Sequence, residues 1–215
     1  MTTEDKKLIL AKQKMMLLQK PVPKVKLTGI QKYKMHQSLT KRRSNVYSNL
    51  HWLLDTSGSM AGDKIWQLID TVQYLLPKYP NVKLYQFESI VRAIPEDRVP
   101  HLVAGGMTHM MEALQVAWQN NADGIVLVTD GDPTDAAKGR ILDEAKNHYS
   151  HIPIHTIGIG EDYEKDFLQA LSDATNGNLA ECGTDELSLL TDKFEEVLQI
   201  EDRNGKGNKG GAIQL

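Results

Sequence analysis

The stretch "LHWLLDTSGSMAG", residues 50 to 62, decides how the rest of the chain is read. An apolar run carries the chain to Asp55, and Thr56, Ser57 and Ser59 then crowd around Gly58. A buried strand that ends in one carboxylate followed by alternating hydroxyls delivers polar groups to the end of a sheet. In an extended loop, residues two apart face the same way, so Asp55, Ser57 and Ser59 can converge on one point. Gly58 allows the sharp turn that follows.

Outward from this stretch, strand and helix signals alternate. "NLHWLLD" (49 to 55) reads as a strand, and Ile65, Leu68, Ile69, Val72, Leu75 and Leu76 form the apolar stripe of a helix over 63–76. "VKLYQF" (82 to 87) and "IVRAI" (90 to 94) read as a strand pair joined by a short turn. A helix over 108–120 precedes "GIVLVTDG" (124 to 131), the clearest strand signal of the chain. A helix over 134–149, the strand "IPIHTIGIG" (152 to 160), a helix over 163–175 and the short strand "NLAEC" (178 to 182) follow. The last helix, "DELSLLTDKFEEVLQI" (185 to 200), places Leu187, Leu190, Phe194, Val197 and Leu198 on one side. This rhythm predicts an α/β, Rossmann-like doubly wound fold, with a mostly parallel central sheet and helices on both faces. Ligands of such sheets sit beyond the carboxyl ends of the strands, at a topological switch point.

Three polar clusters fall at that predicted edge: Asp55/Ser57/Ser59, Thr108 in "GGMTHM", and Asp130 in "VTDGDPTD". They offer two carboxylates and three hydroxyls, with no imidazole or thiolate. Short all-oxygen ligands suit a hard cation, Mg²⁺ first and Mn²⁺ as the alternative ion. The bland reading of Asp55–Ser59 is a polar strand-to-helix turn whose serines cap the helix; the Thr108 loop and the "TDG" of Asp130 at the same predicted edge disfavour it. Asp132, followed by Pro133, reads as a turn residue, and Asp132 and Asp135 read as surface charges near the site. His155 lies within a strand and is expected to pack, and Cys182 reads as a small packed residue.

From Val46 to Ile200 the chain resembles a von Willebrand factor type A (VWA) domain, over about 155 of its 215 residues. "DTSGS" is similar to the DxSxS motif of that family, Thr108 to its distal threonine and Asp130 in "TDG" to its distal aspartate. "HTIGIGED" and "LSDATNGNLAEC" also resemble its later strand and helix. The resemblance implies a metal-ion-dependent adhesion site built from Asp55, Ser57, Ser59, Thr108 and Asp130. It implies that Ser57 and Ser59 bind the metal directly, with Asp55 and Asp130 close by and acting through water. An Asp or Glu from a protein partner would then complete the shell, with no bond made or broken. Many relatives carry glycine directly before the distal threonine; Met107 stands there in this chain, so the loop is expected to approach at a different height. Cytoplasmic members of the family often resemble adaptors of AAA+ ATPases of the MoxR type, which makes such an ATPase an expected partner.

The net charge of −3 conceals an asymmetry. Residues 1–46 carry twelve Lys/Arg against two Asp/Glu, whereas the remainder carries thirteen against twenty-six. That shift sets the expected organisation: a basic N-terminal arm (1–46), a VWA domain (47–200) and a flexible C-terminal tail (201–215). Within the arm, Leu8, Ala11, Met15 and Leu18 predict a helix over 4–19, which Pro21 and Pro23 end. The arm's charge suits nucleic-acid phosphates, an anionic membrane surface or an acidic protein, including the chain's own acidic part. Tyr33 is its one aromatic residue, which argues against a stacking platform for single strands. The alternative function is therefore nucleic-acid association through residues 1–46, with the domain as scaffold.

No apolar run approaches the roughly 20 residues needed to span a bilayer, and lysines interrupt every apolar stretch of the N-terminus. With its single cysteine the chain cannot form an internal disulfide. The expected location is the cytoplasm. An enzymatic role is not expected. Aspartyl-phosphate chemistry at Asp55 would call for a second carboxylate two residues on, where Ser57 stands. No Walker A sequence or GxGxxG opening a helix occurs.

Overall fold

The computed structural model describes residues 47–161 and 163–204. The basic arm, the helix expected over 4–19 and residues 205–215 lie outside the described residues, whereas residues 201–204, expected to begin the tail, continue the last helix. Six strands form one sheet: β1 (Leu50–Asp55), β2 (Lys83–Phe87), β3 (Val91–Ala93), β4 (Gly124–Thr129), β5 (Ile154–Ile159) and β6 (Leu179–Cys182). Their order is β3-β2-β1-β4-β5-β6, and every neighbouring pair is parallel except the antiparallel β2–β3 hairpin. The helices among the described residues are α1 (Asp63–Leu75), α2 (Met110–Gln119), α3 (Lys138–His148), α4 (Lys165–Ala174) and α5 (Leu190–Asn204).

Central parallel strands are covered on both faces, so they read as continuous apolar runs. All six residues of β1, of β4 and of β5 are buried. Alternation along each strand divides the core in two. Trp52, Leu54, Val126 and Val128 face one layer with Ile65, Leu68 and Val72 of α1 and Phe194 and Val197 of α5. Leu53, Ile125 and Leu127 face the other layer with Leu114 of α2, Ile141 of α3 and Leu168 of α4. Trp52 anchors the first layer, its ring edge-on to Tyr79 at 5.5 Å and to Phe194 at 5.0 Å between centroids. His155 packs as expected of a strand residue. Its Nδ1 accepts from the Asn178 backbone N–H at 3.2 Å, so Nε2 carries the proton toward Tyr47 Oη at 2.7 Å. Cys182 is buried.

Several boundaries differ from the sequence reading, for identifiable reasons. α2 begins at Met110 rather than at residue 108, and α3 begins at Lys138 rather than at 134. Thr108 and Thr134 occupy each other there: the Thr108 N–H donates to Thr134 Oγ1 at 3.0 Å, and the Thr134 N–H to Thr108 O at 2.9 Å. That two-way bond holds both segments out of helical conformation. Residues 184–189 form a 3₁₀ segment before α5 starts. Asp132 caps no helix; its carboxylate pairs with Lys138 at 2.5 Å.

The strand order reverses at β1. One connection leads from β1 to β2 on one side, and β4 pairs on the other, so the switch point lies between the carboxyl ends of β1 and β4. Asp55 and Asp130 stand at those two ends, which is where such folds leave a crevice.

Candidate metal centre

Asp55 closes β1 and is fully buried. Both of its carboxylate oxygens are held by the protein: Oδ1 accepts from the Ser57 backbone N–H at 2.8 Å, and Oδ2 from the Thr129 hydroxyl at 2.6 Å. Burial pushes the Asp55 carboxyl up to about 6, with the nearby Asp130 adding to the rise. The bonds from Thr129 and Ser57 oppose that rise, because they favour the ionised form. With both oxygens engaged, Asp55 orients the loop and contributes charge from behind it.

In front of Asp55 a chain of oxygens runs across the switch point. Ser57 Oγ lies 3.0 Å from Ser59 Oγ, and the Ser59 hydroxyl donates to Asp130 Oδ1 at 2.7 Å. The short 3₁₀ turn Gly58–Met60 places the second serine beside the first. Thr108 arrives from the loop before α2. A Cβ placed on Gly131 would lie 3.5 Å from Ser59 Oγ and 3.7 Å from Thr108 Oγ1, so both hydroxyls border one small space above that glycine. The structure thus brings together Asp55, Ser57, Ser59, Thr108 and Asp130, residues from three separate connections of the fold.

The Thr108 loop is held by main-chain bonds. The Gly58 N–H donates to Gly106 O at 3.2 Å, and the Gly105 N–H to Thr56 O at 2.8 Å. Gly106 has φ +76°, a backbone conformation that favours glycine, and it packs against the Glu88 carboxylate and the Ser89 hydroxyl. Met107 occupies the position where glycine is common, yet its side chain points outward and is 56% exposed, and its N–H bonds to Ser89 Oγ at 3.0 Å. Thr108 itself is buried at the site.

Two functional neighbours, Thr129 and Lys64, were not singled out by the sequence reading, and a third, Asp135, has a role beyond the surface charge expected of it. Thr129 holds Asp55; its signal is a hydroxyl closing an otherwise apolar strand. Asp135, read as a surface charge, accepts from the Met111 N–H at 3.2 Å and the Glu112 N–H at 2.8 Å, and so caps α2 from another loop. Lys64 donates from Nζ to Asp130 Oδ2 at 2.5 Å and to Ser59 O at 3.4 Å. Its signal was a cation in the first turn of a helix, where the dipole disfavours positive charge.

Among the described residues no three His, Cys, Asp or Glu side chains gather to hold a metal. The donor set here is different: hydroxyls of Ser57, Ser59 and Thr108 with the carboxylate of Asp130 in front and Asp55 behind. Such oxygens fit a hard divalent cation. The Lys64 ammonium already lies against one of them, Asp130.

The family model for the von Willebrand factor type A domain matches residues 71–182. The chain belongs to that family. It is 24% identical over 168 residues to inter-alpha-trypsin inhibitor heavy chain H1 of Homo sapiens, covering 62% of this chain and 18% of that protein. The heavy chain H1 of Mesocricetus auratus is 27% identical over 181 residues, with 67% of this chain and 20% of that one covered. This chain therefore spans about a fifth of the length of the heavy chains it matches. Among solved structures, the von Willebrand factor type A protein from Catenulispora acidiphila superposes with a TM-score of 0.61 at 18% identity, covering 70% of this chain and 42% of that one. Proximal thread matrix protein 1 from the mussel byssus, with zinc occupying its MIDAS motif, superposes at 0.55 with 13% identity, covering 71% of this chain and 45% of that one. Among the described residues, no helix is long and apolar enough to cross a membrane.

Proposed function

We propose that the protein is a metal-dependent protein-binding module that captures a carboxylate of a partner at the Ser57/Ser59/Thr108/Asp130 oxygens. The observation that carries this reading is the division of labour between the two aspartates. Asp55 is buried behind the loop with its oxygens on Thr129 and the Ser57 N–H, while Asp130 joins the oxygens in front through the Ser59 hydroxyl and Lys64, and the Ser59 and Thr108 hydroxyls border one small space. A bound Mg²⁺ or Mn²⁺, poor in direct anionic ligands, would offer an open position for an Asp or Glu from the partner. Zinc in the MIDAS motif of the mussel protein supports a divalent ion at the equivalent motif here.

The residues of this chain set the terms of that capture. Ser57 and Ser59 supply neutral oxygens, so they add no negative charge to repel an incoming carboxylate. Asp55 supplies its charge from a buried position, beyond reach of the partner. Met107, exposed beside Thr108, offers apolar contact at the rim. The module works without a catalytic step, in the cytoplasm, and an AAA+ ATPase of the MoxR type is one partner of this kind.

A pull-down with the full chain in Mg²⁺, repeated in EDTA, with Asp55→Ala, and with nuclease, tests the proposal. The expected result is capture in Mg²⁺ by the wild type alone, indifferent to nuclease. Capture that ignores EDTA and Asp55→Ala but disappears with nuclease would overturn it in favour of nucleic-acid binding through residues 1–46.

A further inference from the structure

Lys64 has no part in the donor set, yet it is the cation that touches it. Its ammonium reaches Asp130 Oδ2 at 2.5 Å and Ser59 O at 3.4 Å, while Asp130 Oδ1 is taken by the Ser59 hydroxyl. The Asp130 side chain is fully buried and that of Lys64 is 24% exposed, so one end of this ion pair sits in the crevice and the other reaches toward solvent. The path of the lysine is shaped by Gly160, which follows β5 with φ +92°. A Cβ there would lie 3.4 Å from both Cε and Nζ of Lys64, so the lysine's end runs over bare backbone.

We infer that Lys64 is a tethered counter-cation that competes with the divalent metal for Asp130 and thereby sets the metal affinity of the site. The inference rests on the metal-site reading above. Without metal, two carboxylates lie at the switch point, Asp55 behind and Asp130 in front. Burying both uncompensated would be costly, and the ammonium neutralises one of them. When a divalent ion enters, the same ammonium becomes a like charge beside it. The lysine must then give up Asp130 Oδ2 or share it, and the energy of the ion pair is subtracted from that of metal binding. Its flexible stem and partly exposed position give it somewhere to go. The device keeps the empty site folded and keeps metal binding weak until a partner carboxylate adds its own contribution.

Mn²⁺ binding to the full chain, followed by the electron paramagnetic resonance of free Mn²⁺, separates the outcomes. Lys64→Gln is expected to bind Mn²⁺ about tenfold more tightly than wild type, the low end of the roughly ten- to thousandfold effect that a neighbouring cation has on a carboxylate's proton affinity. The same variant is expected to unfold at a lower temperature in EDTA, because Asp130 is then buried without its counter-charge. A lysine that served packing alone would lower stability and leave the metal constant unmoved. In wild-type protein, the ¹⁵N signal of the Lys64 ammonium is expected to move to the position of a solvent-exposed lysine when Mg²⁺ is added, a readout that needs no variant. Equal Mn²⁺ affinity in both proteins, or a Lys64 signal unmoved by Mg²⁺ at concentrations where Mn²⁺ binds, overturns the role of Lys64 and leaves the metal site standing. Absence of Mn²⁺ binding in both proteins overturns the metal-site reading and this inference together.

Discussion

The Thr129 hydroxyl donates to Asp55 Oδ2 at 2.6 Å, across the β1–β4 boundary and 74 residues apart in sequence. This bond lies one residue before Asp130, so the same strand end that presents one aspartate to the site also fixes the other. Asp55 can stay ionised in a buried position only while such donors face it, and their loss is the first thing to test.

Thr129→Val keeps the shape of the side chain and removes the donor. The metal-free protein is expected to lose about 1–3 kcal/mol of stability, the cost of leaving a buried acceptor without its partner. Urea unfolding in EDTA measures this. Metal affinity should fall as well, since burial then pushes the Asp55 carboxyl further toward its neutral form.

His51 gives the fold a pH dependence of its own. It is fully buried in β1, with its ring 5.2 Å from that of Tyr85, and its Nδ1 has no hydrogen-bond partner. Burial, with Lys83 nearby, lowers its pKa from 6.5 to about 4, and Asp123 opposes the shift. The unfolded chain therefore binds a proton between those two values that the folded chain refuses, so this contribution is complete above pH 6.5 and is lost as pH falls toward 4. With allowance for solvent screening, the loss should be about 1–2 kcal/mol. His51→Phe should remove that part of the acid slope in thermal unfolding, and an unchanged slope would refute the assignment.

Asp135 closes the amino end of α2 through the Met111 and Glu112 N–H groups. Asp135→Ala is expected to cost about 1–2 kcal/mol, in the range of a lost helix cap. Because the capped helix directly follows Thr108, hydrogen exchange should quicken at residues 108–112 while β1 and β4 stay protected. Uniform quickening across the sheet would instead mean that the cap contributes only to global stability.

Much of this molecule could be read from local pattern. The apolar runs of β1, β4 and β5 and the stripe of α1 follow from side-chain periodicity, which repeats within a few residues and needs no knowledge of the fold. Asp55, Ser57 and Ser59 were legible for the same reason, because their spacing of two lies within one turn of chain. Asp130 could be placed at that edge because it directly follows a parallel strand, and Thr108 because it precedes the helix that leads into the next parallel strand. The starts of α2 and α3 could not be placed, since the Thr108–Thr134 bond that delays both joins two loops.

What the sequence by itself determined is the order of the elements, the two-sided burial of the sheet and the oxygen-rich character of the switch point. The tertiary structure decided which donor fixes Asp55, which cation lies on Asp130, which loop caps α2 and which way Met107 turns. The first two join the end of β1 and the start of α1 to the end of β4, with partners 66 residues apart for Lys64 and Asp130 and 74 for Asp55 and Thr129. Such contacts depend on strand register, and register is fixed by the packing of both faces at once rather than by any short stretch of chain.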